Sequence, residues 1–267
     1  MDKTIQKKLI NLRSIIKNYE KVIIAFSGGV DSTFLLKIAS DTIGNNCIAV
    51  TLHTPAHSLF EMDIVNQIAK SFHLTPHIIP LDITNFDEII KNPPDRCYHC
   101  KKYMFLRIKE FAEKNNISSI LEGSNLDDLN DYRPGLKALK ELDIKSPLIQ
   151  AAFTKQDIRK ISKELDLPTW NKPANPCLAT RIPYGTPITK EILSKIDKAE
   201  EFLYSLGLAQ FRVRYHNTIA RIEANKKDFD VIFQSSNQII KRFKDLGFKY
   251  ITVDIEGYRS GSLNEGA

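Results

Sequence analysis

The segment Ser27-Gly28-Gly29-Val30-Asp31-Ser32 constrains the fold of this chain more than any other. An apolar run, Lys21-Val-Ile-Ile-Ala-Phe26, precedes it, and a helical pattern beginning at Thr33 follows. The order is strand, glycine turn, helix N-terminus. Two glycines let the backbone come close to an anion, the hydroxyls of Ser27 and Ser32 can donate to phosphate oxygens, and the helix start adds unpaired N–H groups and a positive dipole end. No Gly-Lys-Ser/Thr follows, which excludes a Walker A loop, and the Gly-x-Gly-x-x-Gly of dinucleotide turns is missing. Asp31 would repel phosphate unless a cation intervened, so it reads either as a magnesium contact, direct or through water, or as a helix-capping carboxylate.

Taken as it stands, SGGVDS resembles the pyrophosphate loop of the ATP pyrophosphatase superfamily. That resemblance implies cleavage of ATP between the α and β phosphates, adenylation of a substrate oxygen, and a departing pyrophosphate held by residues 27–32. The rest of the first part fits such a domain. Strand signals at 21–26, 47–52, 76–80 and 119–122 alternate with helical patterns at 3–18, 33 onward, 61–72 and 102–115, and a further helix at 155–165 ends before Pro168. Alternation of this kind predicts an α/β doubly wound parallel sheet covered on both faces, with ligands at the carboxyl ends of its strands. The superfamily resemblance implies an adenine nucleotide alpha hydrolase-like arrangement of it.

The run from Asn171 to Pro187 holds four prolines and cannot be one regular element. Beyond it the pattern becomes helix 189–206, strands 210–215 and 218–223, helix 226–246 and strand 250–255. We therefore expect a pyrophosphate-loop domain over 1–185 and a small α+β domain over 186–267.

The chain has 267 residues, 26% of them charged and 42% hydrophobic, values of an ordinary globular protein. It shows no apolar stretch of membrane-spanning length and no apolar signal region near the N-terminus, so the expected location is cytoplasmic and no membrane partner is expected. The net charge of +6 suits anionic substrates, but the positive residues are dispersed and form no basic stripe. Four cysteines do not make a disulfide framework in a cytoplasmic chain of this size.

Cys97 and Cys100 lie in Asp95-Arg-Cys-Tyr-His-Cys-Lys-Lys, just ahead of the helical pattern, and Cys177 lies in the proline-rich run. Three thiolates brought together could hold zinc with a fourth group such as His99, or an iron–sulfur cluster with one iron left open. Read alone, Cys-x-x-Cys is equally a redox pair or a structural clip. Cys47, inside an apolar strand, reads as core. At the end of the fourth strand, Gly123 and Asp127 fall where an open α/β sheet places its nucleotide. Asp127, Asp128 and Asp131 there could bind magnesium and Arg133 a phosphate or carboxylate; a solvated, carboxylate-capped turn would read the same way. Arg212 and Arg214 share one face of a strand, as paired phosphate-binding guanidiniums or as an ordinary solvated face. Glu200 and Glu223, taken singly, read as surface. The terminal Asp254-Ile-Glu-Gly-Tyr-Arg-Ser-Gly-Ser-Leu-Asn-Glu265 is too particular for a frayed end, yet composition assigns it no role.

Together, SGGVDS, EGSNLDDLNDYRPG, NPCLATRIPYG, FRVRYH and DIEGYRSGSLNE resemble the LarE family over nearly the whole chain. Its members are ATP-dependent sulfur transferases of nickel-pincer nucleotide biosynthesis. The resemblance implies adenylation of pyridinium-3,5-biscarboxylic acid mononucleotide, attack by sulfur, loss of AMP and a thiocarboxylate product. It places Cys177 at the sulfur-donating cysteine, which single-cysteine members sacrifice to dehydroalanine. Cys97 and Cys100 depart from that pattern and align the chain with the three-cysteine branch, implying a [4Fe-4S] cluster on Cys97, Cys100 and Cys177. ATP with Mg2+ is the cosubstrate, and the residues do not identify the sulfide donor. Arg212 and Arg214 match the phosphate-binding arginines, with Thr180 beside them and Arg181, Glu200 and Glu223 in the same region; a homo-hexamer is the implied assembly. The competing readings are a tRNA thiolase, for which no RNA-binding domain is present, an ammonia-transferring ligase, which leaves the cysteines unexplained, and a zinc-stabilised nucleotide-binding protein.

Overall fold

The computed structural model describes residues 3–130, 134–173, 175–259 and 262. These form two compact units that interleave along the chain: Met1–Thr54, Glu61–Leu81 and Cys97–Asn175 in the first, and Pro55–Phe60, Asp82–Arg96 and Pro176–Ala267 in the second. The sequence places one division at 185/186, with Cys177 in the first domain; the second unit instead begins at Pro176, so that it holds Cys177, and additionally takes in the segments that follow the second and third strands.

The first unit is built on β1 (Val22–Ala25), β2 (Cys47–His53), β3 (His77–Pro80) and β4 (Ser119–Leu121). All pairings are parallel and the order is β3-β2-β1-β4. Val22, Ile23 and Ile24 are wholly buried, as an inner parallel strand with both faces covered requires. β3 lies at the edge, where Pro80 withholds no ladder donor that a neighbour needs. The helices Lys3–Lys17, Val30–Ile43 and Lys155–Glu164 bring Leu12, Ile16, Phe34, Leu35, Ile38, Ile158 and Ile161 into one core with the strands. Phe34 meets Phe153 edge-on at 5.4 Å. The chain reverses its progress across the sheet between β1 and β4, so the carboxyl ends of these two strands flank the crevice where such sheets bind ligands.

One helix differs from expectation in a way that matters. It begins at Arg96, six residues before the apolar period becomes visible at Lys102, and runs to Lys114. Cys97 and Cys100 therefore sit within its first turns, not ahead of it.

In the second unit β5 (Phe211–His216) and β6 (Ile219–Ala224) are antiparallel, and β7 (Tyr250–Val253) adds to β6 in parallel. Phe211, Val213, Ala220, Ile222 and Ala224 face the helices Lys190–Ser205 and Ser236–Asp245 in a second core with Leu203, Ile239 and Phe243. The period of two then turns Arg212, Arg214 and Glu223 to the opposite face. Among the described residues no helix is long and apolar enough to cross a membrane.

Candidate active site

The turn after β1 has the features its sequence demands. Gly28 adopts φ +69°, and a Cβ there would lie 2.8 Å from the Val65 side chain, so glycine is needed both for conformation and for space. Gly29 precedes the helix in extended conformation with no side chain capping it, and Asp31 lies inside the first turn, so the capping reading of Asp31 is set aside. Ser32 Oγ accepts from the Ser27 amide at 3.2 Å, lies 3.0 Å from Ser27 Oγ and is within 3.3 Å of the Gly29 carbonyl. The two hydroxyls are thus held together at a helix N-terminus. Lys172 donates to the Gly28 carbonyl at 3.1 Å; burial lowers its pKa, against the charge of Glu61.

Gly123, at the exit of β4, touches the same turn. A Cβ there would stand 2.9 Å from the Ser32 amide nitrogen and 3.1 Å from its Cα. Gly123→Ala should therefore push the phosphate turn away from β4, costing about 1–3 kcal/mol by overpacking and weakening ATP binding. Urea denaturation with ATP titration checks this, and an unchanged midpoint and affinity would show that the turn does not depend on the approach.

Asp31 Oδ2 lies 2.5 Å from Lys155 Nζ, and Asp127 Oδ2 accepts from the Lys155 amide at 2.8 Å. One residue, absent from the sequence reading, therefore links the two carboxylates expected at the nucleotide. Its only sequence signal is its place after Thr154, which caps the Lys155–Glu164 helix reciprocally with Asp157. Asp128 is buried and accepts from the Asn125 amide at 3.0 Å. Asp131 and Arg133 lie outside the described residues. Glu122, also buried, accepts from the Ser124 amide and hydroxyl and from Ser146, with Lys101 Nζ at 3.7 Å.

None of the four cysteines is in a disulfide. Cys97 is exposed and Cys100 half-buried, three residues apart on one helix and so on one face of it, with Cys100 Sγ 3.7 Å from Met104 Sδ. Cys47 is buried, and desolvation pushes its thiol up to about 12. Alkylation of metal-free protein near pH 8, read by peptide mass spectrometry, should modify Cys97, Cys100 and Cys177 and spare Cys47; rapid labelling of Cys47 in folded protein would contradict its burial. Among the described residues no three His, Cys, Asp or Glu side chains are gathered as a metal-holding group. Cys97 and Cys100 belong to the first unit and Cys177 to the second.

Within the second unit, the loop carrying Cys177 is fixed from several sides. The Leu178 amide donates to the Ala56 carbonyl at 2.9 Å. Asn92, wholly buried, donates to the carbonyls of Pro183 and Thr186 at 2.8 and 3.1 Å, and its Oδ1 accepts from the buried Arg96, which also reaches the Ala179 carbonyl. Neither Asn92 nor Arg96 stands out in the sequence, because their partners are more than eighty residues away. Arg181, a fully buried side chain, grips Glu200 bidentately, Nε to Oε1 and Nη2 to Oε2, each at 2.9 Å. Its Nη1 donates to the carbonyls of Pro176 and Cys177 and to Thr180 Oγ1.

Arg212 and Arg214 are buried too, which removes the solvated-face alternative; so is Glu223, and Glu200 is nearly so, against their reading as surface. Arg214 donates from Nη1 to the Thr180 carbonyl at 2.7 Å and from Nη2 to Glu223 Oε2 at 2.8 Å. Its Nε is buried with no hydrogen-bond partner among the described residues. Burial, followed by the nearby Arg181 charge, lowers the pKa of Arg212. Among the described residues, Arg181 thus pairs with Glu200, and Arg214 shares Glu223 with Arg221, while Arg212 is buried on the same strand face as Arg214.

The chain is similar to known proteins over most of its length. A PP-loop domain family matches residues 1–133. A pyridinium-3,5-bisthiocarboxylic acid mononucleotide synthase of Lactiplantibacillus plantarum is 37% identical over 263 residues, covering 98% of this chain and 95% of that protein. An uncharacterised protein of Synechocystis is 37% identical over 97% of this chain and 98% of its own length. Another, of Methanocaldococcus jannaschii, is 38% identical over 95% of this chain and 98% of its length.

Proposed function

Because the chain belongs to the LarE family of PP-loop ATP-using enzymes, we propose that it adenylates the carboxylate of pyridinium-3,5-biscarboxylic acid mononucleotide in the cytoplasm and exchanges AMP for sulfur. The observation that carries this reading is the pair Arg212 and Arg214, both buried on one strand face with Arg214 bound to the Thr180 carbonyl of the Cys177 loop, a guanidinium pair suited to an acceptor phosphate.

In this reading Ser27, Ser32 and the helix amides hold the departing pyrophosphate. Asp31 would hold Mg2+, a hard cation suited to its carboxylate, in exchange for its present partner Lys155. Arg212 and Arg214 take the mononucleotide phosphate beside Thr180. Arg181, whose donors already meet Glu200 and the Cys177 loop, fixes that loop and completes the charge around the phosphate. Three cysteines outside any disulfide, Cys97, Cys100 and Cys177, are the residues that would hold a [4Fe-4S] cluster, which when bound would supply sulfur from outside the polypeptide. Phe233, Tyr250 and Ile255 expose apolar surface on the second unit and support the expected homo-oligomer.

The test separates the two nucleotides. Arg212→Ala and Arg214→Ala should each weaken mononucleotide binding by about 1.5–3 kcal/mol while leaving ATP affinity unchanged. Equal losses for both ligands would contradict the assignment. The products should be AMP and pyrophosphate, lost in Asp31→Asn; formation of ADP would exclude adenylation.

A further inference from the structure

In the C-terminal segment, which composition left without a role, Tyr258 and Ser262 meet the arginine pair. The Asp254 amide donates to the Ile222 carbonyl at 2.9 Å, and its carboxylate lies 3.7 Å from Arg221. Gly257 then turns the chain at φ +81°, where a Cβ would strike the Ala224 carbonyl at 2.9 Å, and the Tyr258 amide donates to that same carbonyl. This turn sets the Tyr258 ring against the Arg212 guanidinium, 5.1 Å from its centroid. Four residues on, Ser262 Oγ accepts from Arg214 Nη2 at 2.8 Å and lies 3.2 Å from Glu223 Oε2, to which it donates.

Among the described residues, Tyr258 thus meets Arg212 and Ser262 meets Arg214, and the two contacts differ in kind. An aromatic face restrains the plane of a guanidinium without using its donors, and Arg212 also donates from Nη1 to the Phe211 carbonyl at 2.5 Å. A hydroxyl that accepts from Arg214 and donates to Glu223 adds a second link to the direct 2.8 Å ion pair and fixes the rotamer of both. Arginine otherwise has large rotamer freedom to lose on binding, and groups already held lose less.

We infer that Tyr258 and Ser262 are positioning residues of the acceptor site, which pre-set Arg212 and Arg214 for the phosphate of the mononucleotide. The inference rests on the assignment of that arginine pair to the acceptor phosphate. Neither residue touches ATP in this scheme, so the tail tunes the acceptor and not the nucleotide.

The experiment uses the full chain, with calorimetric titration of inorganic phosphate and of the biscarboxylate mononucleotide and with steady-state KM for both substrates. Ser262→Ala and Tyr258→Ala should each weaken mononucleotide and phosphate binding about tenfold, the scale of one lost hydrogen bond to a charged group, with the KM for ATP unchanged. Ser262→Thr and Tyr258→Phe, which keep the hydroxyl and the ring, should restore affinity; a merely structural tail would not give that split between substrates. Arg214→Ala is the control for the underlying assignment. If Arg214→Ala weakens the mononucleotide and both tail variants bind it as the parent does, the inference is overturned and the assignment stands. If none of the three changes binding, the assignment itself fails. Tighter phosphate binding in Ser262→Ala would also overturn the inference, since the hydroxyl would then compete with the ligand.

Discussion

Arg181→Met should destabilise the second unit by about 3–5 kcal/mol, the cost of breaking a buried ion pair from one side. The Arg181 side chain is fully buried and the Glu200 side chain is 13% exposed, so removing the guanidinium leaves a carboxylate with little water to solvate it. Glu200 Oε1 also accepts from the Val213 amide at 2.9 Å, which ties the pair to β5. The measurement is amide exchange at Val213 together with urea denaturation, since local exchange reports this unit even where the two units do not unfold as one. Arg181→Met combined with Glu200→Leu should recover much of the loss, because the unpaired charge is then gone. The double variant should nonetheless remain inactive, as the carbonyls of Pro176 and Cys177 have lost their donor. A cost below about 1 kcal/mol for the single variant would mean that water reaches the pair, as at exposed ion pairs.

That pair also shows what the sequence could and could not disclose. Strand and helix periods were enough for the parallel sheet, and the glycine turn was legible because φ +69° at Gly28 and the crowding at Gly123 leave a sequence signature. The alternation Phe211-Arg-Val-Arg-Tyr gave the correct face for the arginines. Whether that face met water was decided elsewhere, by the 176–182 loop and by Tyr258 and Ser262, which no local period can place. Glu200 and Glu223 read as surface for the same reason. Short helices were missed where a few apolar residues set no period, as at Asp87–Ile90, Gly135–Glu141 and Pro147–Gln150. The helix expected over 226–246 is instead broken at Ser235, between Phe229–Gln234 and Ser236–Asp245. Gln234-Ser-Ser-Asn237 is a run whose side chains compete with helical hydrogen bonds.

Replacing any one of Cys97, Cys100 or Cys177 with serine should abolish both the cluster and repeated sulfur transfer, whereas Cys47→Ser should keep both. The contrast follows from thiolate availability. Cys47 is held protonated by burial, with its thiol near 12, while Cys97 is exposed and Cys100 and Cys177 are partly accessible. Cys97 and Cys100 are carried on one helical face, and the Cys177 loop is fixed through the Leu178 amide, Thr180 and Arg181. Three thiolates match a four-iron cluster with one open iron better than a closed zinc site, which needs a fourth ligand. Protein prepared without oxygen should then be brown, absorb broadly near roughly 400 nm and hold about four irons per chain. Colourless protein with one tightly bound zinc, completed by His99, would contradict this. Multiple turnover surviving in Cys97→Ser would contradict it as well. If Cys177 alone were required and its side chain became dehydroalanine after a single turnover, the sulfur would come from the polypeptide itself, and Cys97 and Cys100 would belong to the fold of their helix.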